Sequence, residues 1–204
     1  PPQFRGEDLD WATNPFKDNE WIWQLHRFYW WDSYARMYWG TGDEKYAREW
    51  ALEFRDWVKK NPLDSAHGYA WRTIEAGGRG PKLWAMTESF LESPAFTADV
   101  LLDLLKTSYE HASLLMAKKG SNNWLLFESE GLLAFGLFLP EFRDAPRWRA
   151  EAIARFNHEI TNQVYPDGVQ RELSTSYHNG TIATFMGGWA MAATNGLGHE
   201  FPPA

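Results

Sequence analysis

The helical spacing of apolar residues is the sequence feature that most restricts how this chain folds. Trp23, Trp30, Tyr34 and Tyr38 recur at seven- and four-residue steps, which places them on one face of a helix. Similar spacing returns in most later segments, and no stretch of alternating polarity is long enough for a convincing strand. The chain is therefore predicted to be all-α. Because short connections make consecutive helices antiparallel, antiparallel helical hairpins are the expected building unit.

Start and stop signals divide this pattern into separate helices. Asp18 is a predicted N-cap, and Thr41 to Glu44 have the spacing of a capping box before the second helix. Residues 63–81 lack a sustained period and contain several glycines, so they are predicted to form a long, functional loop. The predicted helices cover residues 18–40, 44–60, 83–91, 97–119, 122–139, 144–162 and 175–195.

Composition excludes several classes of protein. A chain of 204 residues can bury a sizeable core without disulfides, and it contains no cysteine. Its net charge of -7 argues against a dedicated duplex-DNA binder, and no apolar run is long enough for a membrane span. The 13 Trp, 13 Phe and 8 Tyr fit either a large aromatic core or a surface on which sugar rings stack. Neither a cofactor nor a metal site is expected, because no cluster of metal ligands occurs.

Helix order brings two distant segments to one end of the predicted domain. The helix that begins at Asn123 and the helix that begins near Tyr177 are separated by one intervening helix, so they should point the same way. Their N-termini would then share one end of the fold. Helix N-termini present unpaired N–H donors and a positive potential, which suits an anionic ligand.

Both segments carry polar side chains with two possible explanations. In residues 121–128 the paired Asn122 and Asn123 fit either helix caps or amide donors to an anionic group. In residues 172–178 the Tyr177-His178 pair fits either a half-buried ring beside an exposed imidazole or a chemical role at the shared end of the fold. Their predicted proximity makes the chemical explanation more attractive than either segment does alone.

Several motifs, in this order and spacing, are together similar to a known enzyme family. They are Trp23-Gln-Leu-His-Arg27, residues 41–47, Asp56-Trp57 with Asn61-Pro62, Trp71 with Glu75-Ala-Gly-Gly-Arg79, residues 122–133 with Pro140-Glu-Phe142, residues 163–168 and Glu172-Leu-Ser-Thr-Ser-Tyr-His178. This set resembles the N-terminal helical domain of heparinase II/III-type polysaccharide lyases. The resemblance runs from about residue 9 to residue 178.

The resemblance implies a fold and a reaction. Residues 1–204 are expected to form a single, incomplete α/α toroid, with a C-terminal β-sandwich domain absent from this chain. The implied reaction is β-elimination at a uronic acid, with heparan sulfate-type glycosaminoglycan as first choice and alginate as second. The implied catalytic residues are Asn123, which neutralises the substrate carboxylate, and Tyr177, which acts as base, acid or both. Trp124 stands where some members have a histidine, and another catalytic histidine is expected on the missing domain.

The resemblance also implies partners, a location and secondary site residues. The expected partners are an acidic polysaccharide and the missing domain, with no nucleic acid or membrane, at a periplasmic or secreted location. Arg79, Lys82 and Arg171 are predicted to meet sulfate or carboxylate groups, and Trp71, Trp124 and Trp189 are possible stacking surfaces. A structural role remains open for each of these. The candidate substrate-binding residues are His178, Trp124, Glu128, Glu172, Glu75, Arg79 and Trp71.

Two other functions remain open from the sequence. A glycoside hydrolase on a similar toroid would use paired carboxylates such as Glu75 and Glu128 across a cleft. A non-catalytic carbohydrate-binding module would use the aromatic residues without breaking a bond.

Overall fold

The computed structural model describes residues 8–201, and within them the regular structure is helical. This confirms the all-α prediction. The helices are α1 (Asn19–Leu25), α2 (Trp31–Thr41), α3 (Lys45–Lys60), α4 (Thr73–Phe90), α5 (Ala98–Ala117), α6 (Asn123–Phe138), α7 (Ala145–Gln163), α8 (Thr175–Thr194) and a 3-10 turn at Gly198–Glu200. Within the described range, no helix combines the length and apolar character needed to cross a bilayer.

The first predicted helix is broken into α1 and α2. Asp18 does cap α1, since its side chain accepts a hydrogen bond from the Glu20 amide. The chain then turns at Phe28, whose φ of 57° lies in the left-handed region, and the Phe28 ring stacks on Trp31 at 3.9 Å between centroids. The break frees the His26 carbonyl, which accepts a hydrogen bond from Arg79 at 3.1 Å. Tertiary contacts therefore outweigh the continuous helical pattern.

The capping box predicted at residues 41–44 does not form. Thr41 belongs to α2, and its hydroxyl donates to the Met37 carbonyl at 2.6 Å. Gly42 takes the left-handed conformation that ends α2, and the Asp43 side chain accepts from the Lys45 amide at 3.0 Å. The α2–α3 hairpin is present as expected, but Asp43 does the capping.

The loop predicted for residues 63–81 is wrong over its second half, because α4 begins at Thr73. Gly77 and Gly80 lie inside α4, where they face Gly131 of α6. A methyl group at Gly131 would come within 2.3 Å of the Gly77 carbonyl oxygen, so only glycine permits this approach. Pro81 also lies inside α4 and removes one helical N–H. Close packing of α4 on α6 explains a sequence that looks like a loop.

The buried core draws on α2 to α7, and its part between α2, α3 and α4 is rich in aromatic side chains. Trp50 is fully buried and stacks on Phe54 and Phe90, with ring centroids 5.5 and 5.1 Å apart. Trp31 and Trp57 are also buried and donate through their indole nitrogens to Glu53 and His26. Core packing therefore accounts for much of the high aromatic content.

The N-termini of α6 and α8 lie together, as predicted. Near the end of α7, the side-chain amide of Gln163 donates to the backbone carbonyl of Asn122 at 2.8 Å, and Arg171 donates to the Asn122 side chain. These contacts bring the end of α7 and the connection to α8 to the start of α6. Because α7 returns antiparallel to α6, α8 runs in the same direction as α6.

Candidate active site

A cleft of about 660 Å³ opens between α1, the turn that follows it, α4, α6 and α8. Asn123 and Tyr177 both line it, although they are far apart in sequence. Its size falls within the range of small-molecule binding sites. The other polar or charged lining residues are Glu20, Arg27, Arg72, Lys82 and Glu130, and the remaining aromatic ones are Trp23, Tyr29, Trp124 and Phe127.

Local backbone structure holds the two central residues. Asn123 is the first residue of α6 and follows Asn122, whose φ of 55° is left-handed. The Asn123 amide donates to Glu172 at 3.4 Å. At the start of α8, the Ser174 hydroxyl oxygen accepts from the Tyr177 amide at 3.5 Å, so Ser174 is the N-cap. Each side chain therefore sits in the first turn of its helix, where it can reach into the cleft.

A stack of two indoles around one guanidinium forms part of the cleft wall. The guanidinium carbon of Arg72 lies 3.4 Å from the ring centroid of Trp23 and 4.7 Å from that of Trp124. Burial lowers the pKa of Arg72. The carboxylate of Glu75 acts in the opposite direction, and the charge of nearby Arg27 lowers the pKa further. Trp124 keeps 38% of its surface exposed. The stack therefore holds Trp124 as a flat, half-exposed surface beside Asn123.

The cations of the cleft already have carboxylate partners. Arg27 pairs with Glu20 at 2.9 Å and with buried Glu75 at 2.8 Å. Although burial opposes its charge most strongly, the hydrogen bond and charge of Glu75 outweigh this and raise the pKa of Arg27. Lys82 pairs with Asp32, and a Glu75 oxygen lies 3.3 Å from Arg72. The cleft thus offers fixed cations whose charge is partly neutralised.

Glu130 is a cleft residue that sequence reasoning missed. It lies on α6, and burial raises the pKa of its carboxyl to about 7. A signal for it existed in the sequence, because seven residues after Asn123 is two turns along the same helix face.

Four of the predicted substrate-binding residues lie in the interior instead. Glu75, Arg79 and Glu128 have no exposed surface, and Trp71 keeps 6%. None of them lines the cleft, which corrects the expectation that they touch substrate. The proposed hydrolase pair, Glu75 and Glu128, is therefore closed off from a ligand in the cleft.

Each of these buried residues has structural contacts. Arg79 donates to His111 at 2.7 Å, and burial lowers its pKa to about 9. The Glu128 carboxylate accepts from the Gly120 amide at 2.8 Å. The Trp71 indole donates to the Asn61 carbonyl at 2.9 Å. Glu75 differs from the others because it holds Arg27, which does line the cleft.

The remaining candidates lie around the cleft rather than in its wall. The His178 Nδ1 accepts from the Gln170 amide at 3.3 Å, which holds the loop before α8. Arg171 and Glu172 contact Asn122 and Asn123 respectively. Trp189 is 45% exposed but is not part of the cleft wall. Of the predicted sulfate contacts, Lys82 alone lines the cleft, whereas Arg171 supports its rim.

Comparison with known proteins shows the family to which this chain belongs. A family model described as "Heparinase II/III N-terminus" matches residues 1–204. The chain belongs to this family. A heparin-sulfate lyase of Pedobacter heparinus is 42% identical over 203 residues, covering 97% of this chain and 30% of that protein. A heparin-sulfate lyase of Bacteroides stercoris is 38% identical over 223 residues, covering 98% of this chain and 33% of that protein.

Solved structures agree with membership of the heparinase II/III N-terminal family. A heparan sulfate lyase structure from P. heparinus matches with a TM-score of 0.85 and 42% identity, over 97% of this chain and 32% of that one. A structure described as heparinase III matches with a TM-score of 0.91 at 28% identity, over 98% of this chain and 32% of that one. The helical domain is therefore of the toroid type expected for the family. The chain spans about a third of the length of these relatives.

The heparinase II/III-type cleft is built from amide, phenol, carboxyl and cationic groups. Across residues 8–201, no three His, Cys, Asp or Glu side chains group in a way that could hold a metal ion. The amide, phenol, carboxyl and cationic groups of the cleft can form hydrogen bonds, stabilise charge and transfer protons.

Proposed function

We propose that the full-length protein is a polysaccharide lyase that cleaves heparan sulfate-type glycosaminoglycan by β-elimination at a uronic acid. The observation that carries this proposal is that Asn123 and Tyr177 line one cleft from the first turns of two neighbouring helices. These three relatives are heparin-sulfate lyases, which favours this substrate class over alginate.

The reaction requires a carboxylate to be neutralised before a proton is lost. Removal of the C5 proton places charge on the uronate carboxyl group, and a donor that strengthens in that state lowers the barrier. In the proposed mechanism the Asn123 carboxamide donates to that group. As the C4–O bond breaks, C4 and C5 form a double bond and the leaving oxygen takes up a proton.

Tyr177 is the proposed proton carrier. It lines the cleft and remains 49% exposed, so its hydroxyl is open to substrate. In the proposed mechanism the side chain takes up the C5 proton as phenolate, or donates its O–H proton to the leaving oxygen as phenol, or does both in turn. Trp124 offers a stacking surface for the adjoining sugar, and the paired cations Arg27, Arg72 and Lys82 attract an acidic chain.

The proposal includes a further domain that completes the site. The family resemblance implies a C-terminal β-sandwich that contributes a catalytic histidine, and the relatives are about three times as long as this chain. The outer face of α8 exposes Ile182, Met186 and Trp189, which suits contact with additional protein. We also propose a periplasmic or secreted location, where such polysaccharides are met.

Ultraviolet absorbance tests the proposed reaction, because elimination creates an unsaturated uronate and hydrolysis does not. Full-length protein is assayed against heparan sulfate, heparin, chondroitin sulfate and alginate. The expected result is absorbance with heparan sulfate, lost in Asn123→Ala and retained in Asn179→Ala, which changes an exposed α8 asparagine outside the cleft wall. New reducing ends without absorbance would indicate a hydrolase, and binding without either product would indicate a carbohydrate-binding module.

A further inference from the structure

Glu130 shares a helix face with Asn123. The two residues are seven positions apart in α6, about 10 Å along the helix axis, and both line the cleft. A methyl group added at Gly187 of α8 would come within 2.6 Å of a Glu130 carboxylate oxygen. The Glu130 carboxyl therefore lies against the backbone of α8, in the wall between the two helices.

Glu130 has no counter-ion in the described part of the protein. No ion pair or hydrogen bond with another residue of this range reaches its carboxyl, and burial is the cause of its pKa shift. Helices α5 and α7 contribute no titratable group to the wall. The other titratable groups that line the cleft are Glu20 from α1, Arg27 and Tyr29 from the turn after α1, Arg72 just before α4, Lys82 from α4, and Tyr177 from α8.

The cations among these groups are already paired. Arg27 contacts Glu20 and Glu75, Lys82 contacts Asp32, and Arg72 lies near Glu75. Glu130 is therefore held in a partly buried site without compensation for a negative charge. Such a site favours the neutral acid, which carries an O–H donor near neutral pH. An ionised Glu130 would instead repel an acidic polysaccharide in the same cleft.

We propose that Glu130 binds the substrate as a neutral carboxylic acid, donating a hydrogen bond to a sugar oxygen, so that substrate binding is linked to protonation of Glu130. The proton stays on Glu130, and no bond in the substrate changes at this residue. At a pH where free Glu130 is ionised, binding therefore takes up one proton from solvent. This inference rests on the proposed function, since it takes an acidic polysaccharide as the ligand of the cleft.

The first test is the pH dependence of KM and kcat for full-length protein on heparan sulfate. Above the pKa of Glu130, the KM of the wild type should rise up to about tenfold per pH unit, with a much smaller change in kcat. Glu130→Gln keeps a neutral donor, so its KM should stay low. Over the same pH range its KM should change at least threefold less than that of the wild type. Glu130→Ala should have a raised KM with the same flat profile.

A purely structural role would not produce this pattern. It would change stability in both variants without flattening the pH profile of KM in Glu130→Gln. An unchanged KM profile in Glu130→Gln, or a pH effect confined to kcat, would overturn the inference.

Calorimetry separates this inference from the proposed reaction. A uronate-containing heparan sulfate oligosaccharide is titrated into Tyr177→Phe, which slows turnover, in buffers of different ionisation enthalpy. Above neutral pH, binding should take up a proton, and Tyr177→Phe combined with Glu130→Gln should not. Equal proton uptake by the two proteins would contradict the role of Glu130. Absence of cleavage by the wild type would contradict the proposed lyase function and leave the calorimetric comparison valid.

Discussion

The backbone amide of Asn123 donates a 3.4 Å hydrogen bond to the carboxylate of Glu172. This contact joins the first turn of α6 to the segment that leads into α8. Because Tyr177 follows five residues later, one carboxylate helps to fix the separation of the amide and phenol groups proposed to act on the substrate. The carboxylate also sits at a helix N-terminus, where negative charge is stabilising.

Glu172→Ala should therefore lower kcat/KM by at least about tenfold, because small errors in the placement of catalytic groups are costly. Its effect on the free energy of unfolding should be modest, about 0.5–1 kcal/mol. Steady-state kinetics and denaturant unfolding of the full-length variant measure both. Loss of stability without loss of activity would show that Glu172 does not position the site.

Close packing of α4 on α6 predicts a strong effect at Gly131. A methyl group there would come within 2.3 Å of the Gly77 carbonyl oxygen. Gly131→Ala should therefore destabilise the protein by about 2–3 kcal/mol or prevent folding. Denaturant unfolding followed by tryptophan fluorescence measures this change.

Gly78→Ala is the matched control, since Gly78 also lies in α4 and a methyl group there meets nothing within 4 Å. It should be unchanged or up to about 1 kcal/mol more stable, because alanine favours helix. Equal destabilisation of the two variants would show that the α4–α6 contact is not the cause.

Burial of Glu130 predicts a pH-dependent contribution to stability. Its pKa is about 7 in the folded protein and ordinarily 4.5, so between these values the unfolded state binds fewer protons. The contribution of this group to the free energy of unfolding is therefore fully present below pH 4.5. It falls as pH rises through 7, by up to about 3 kcal/mol. Glu130→Gln should remove that fall. Parallel pH profiles of unfolding free energy for the wild type and Glu130→Gln would contradict this prediction.

The Trp23–Arg72–Trp124 stack predicts a binding role for Trp124. Trp124→Ala should raise KM for heparan sulfate by about tenfold, because it removes the ring on which a sugar would stack and one of the two rings that hold Arg72. Trp124→Phe should retain part of the affinity. Trp39→Ala is a suitable control, because Trp39 is 75% exposed on α2 and lies outside the cleft wall. If Trp39→Ala raises KM as much, Trp124 has no special role.

Local signals predicted the helices whose packing agrees with their periodicity. The helices predicted over residues 44–60 and 97–119 correspond to α3 and α5, and the predicted N-cap Asp18 caps α1 in the structure. The proximity of Asn123 and Tyr177 followed from helix order alone. These features depend on short-range spacing, which a sequence displays directly.

The remaining features depend on tertiary contacts that the sequence does not display. The glycines of α4 look like loop residues until Gly131 of α6 is packed against them. The sequence offers Glu75 and Arg79 as candidates for substrate contact, but both lie in the interior, where Arg27 pairs with Glu75 and His111 accepts from Arg79. Glu130 was missed because its significance comes from burial against α8 without a counter-ion.

The most direct test of the proposed lyase mechanism compares two tyrosines of equal exposure. Tyr177 and Tyr165 are each 49% exposed, but of the two only Tyr177 lines the cleft. In full-length protein acting on heparan sulfate, Tyr177→Phe should lower the rate of unsaturated-product formation by at least about a hundredfold. Tyr165→Phe should match the wild type, with folding intact in both variants. Full activity in Tyr177→Phe would contradict the assignment of proton transfer to this residue.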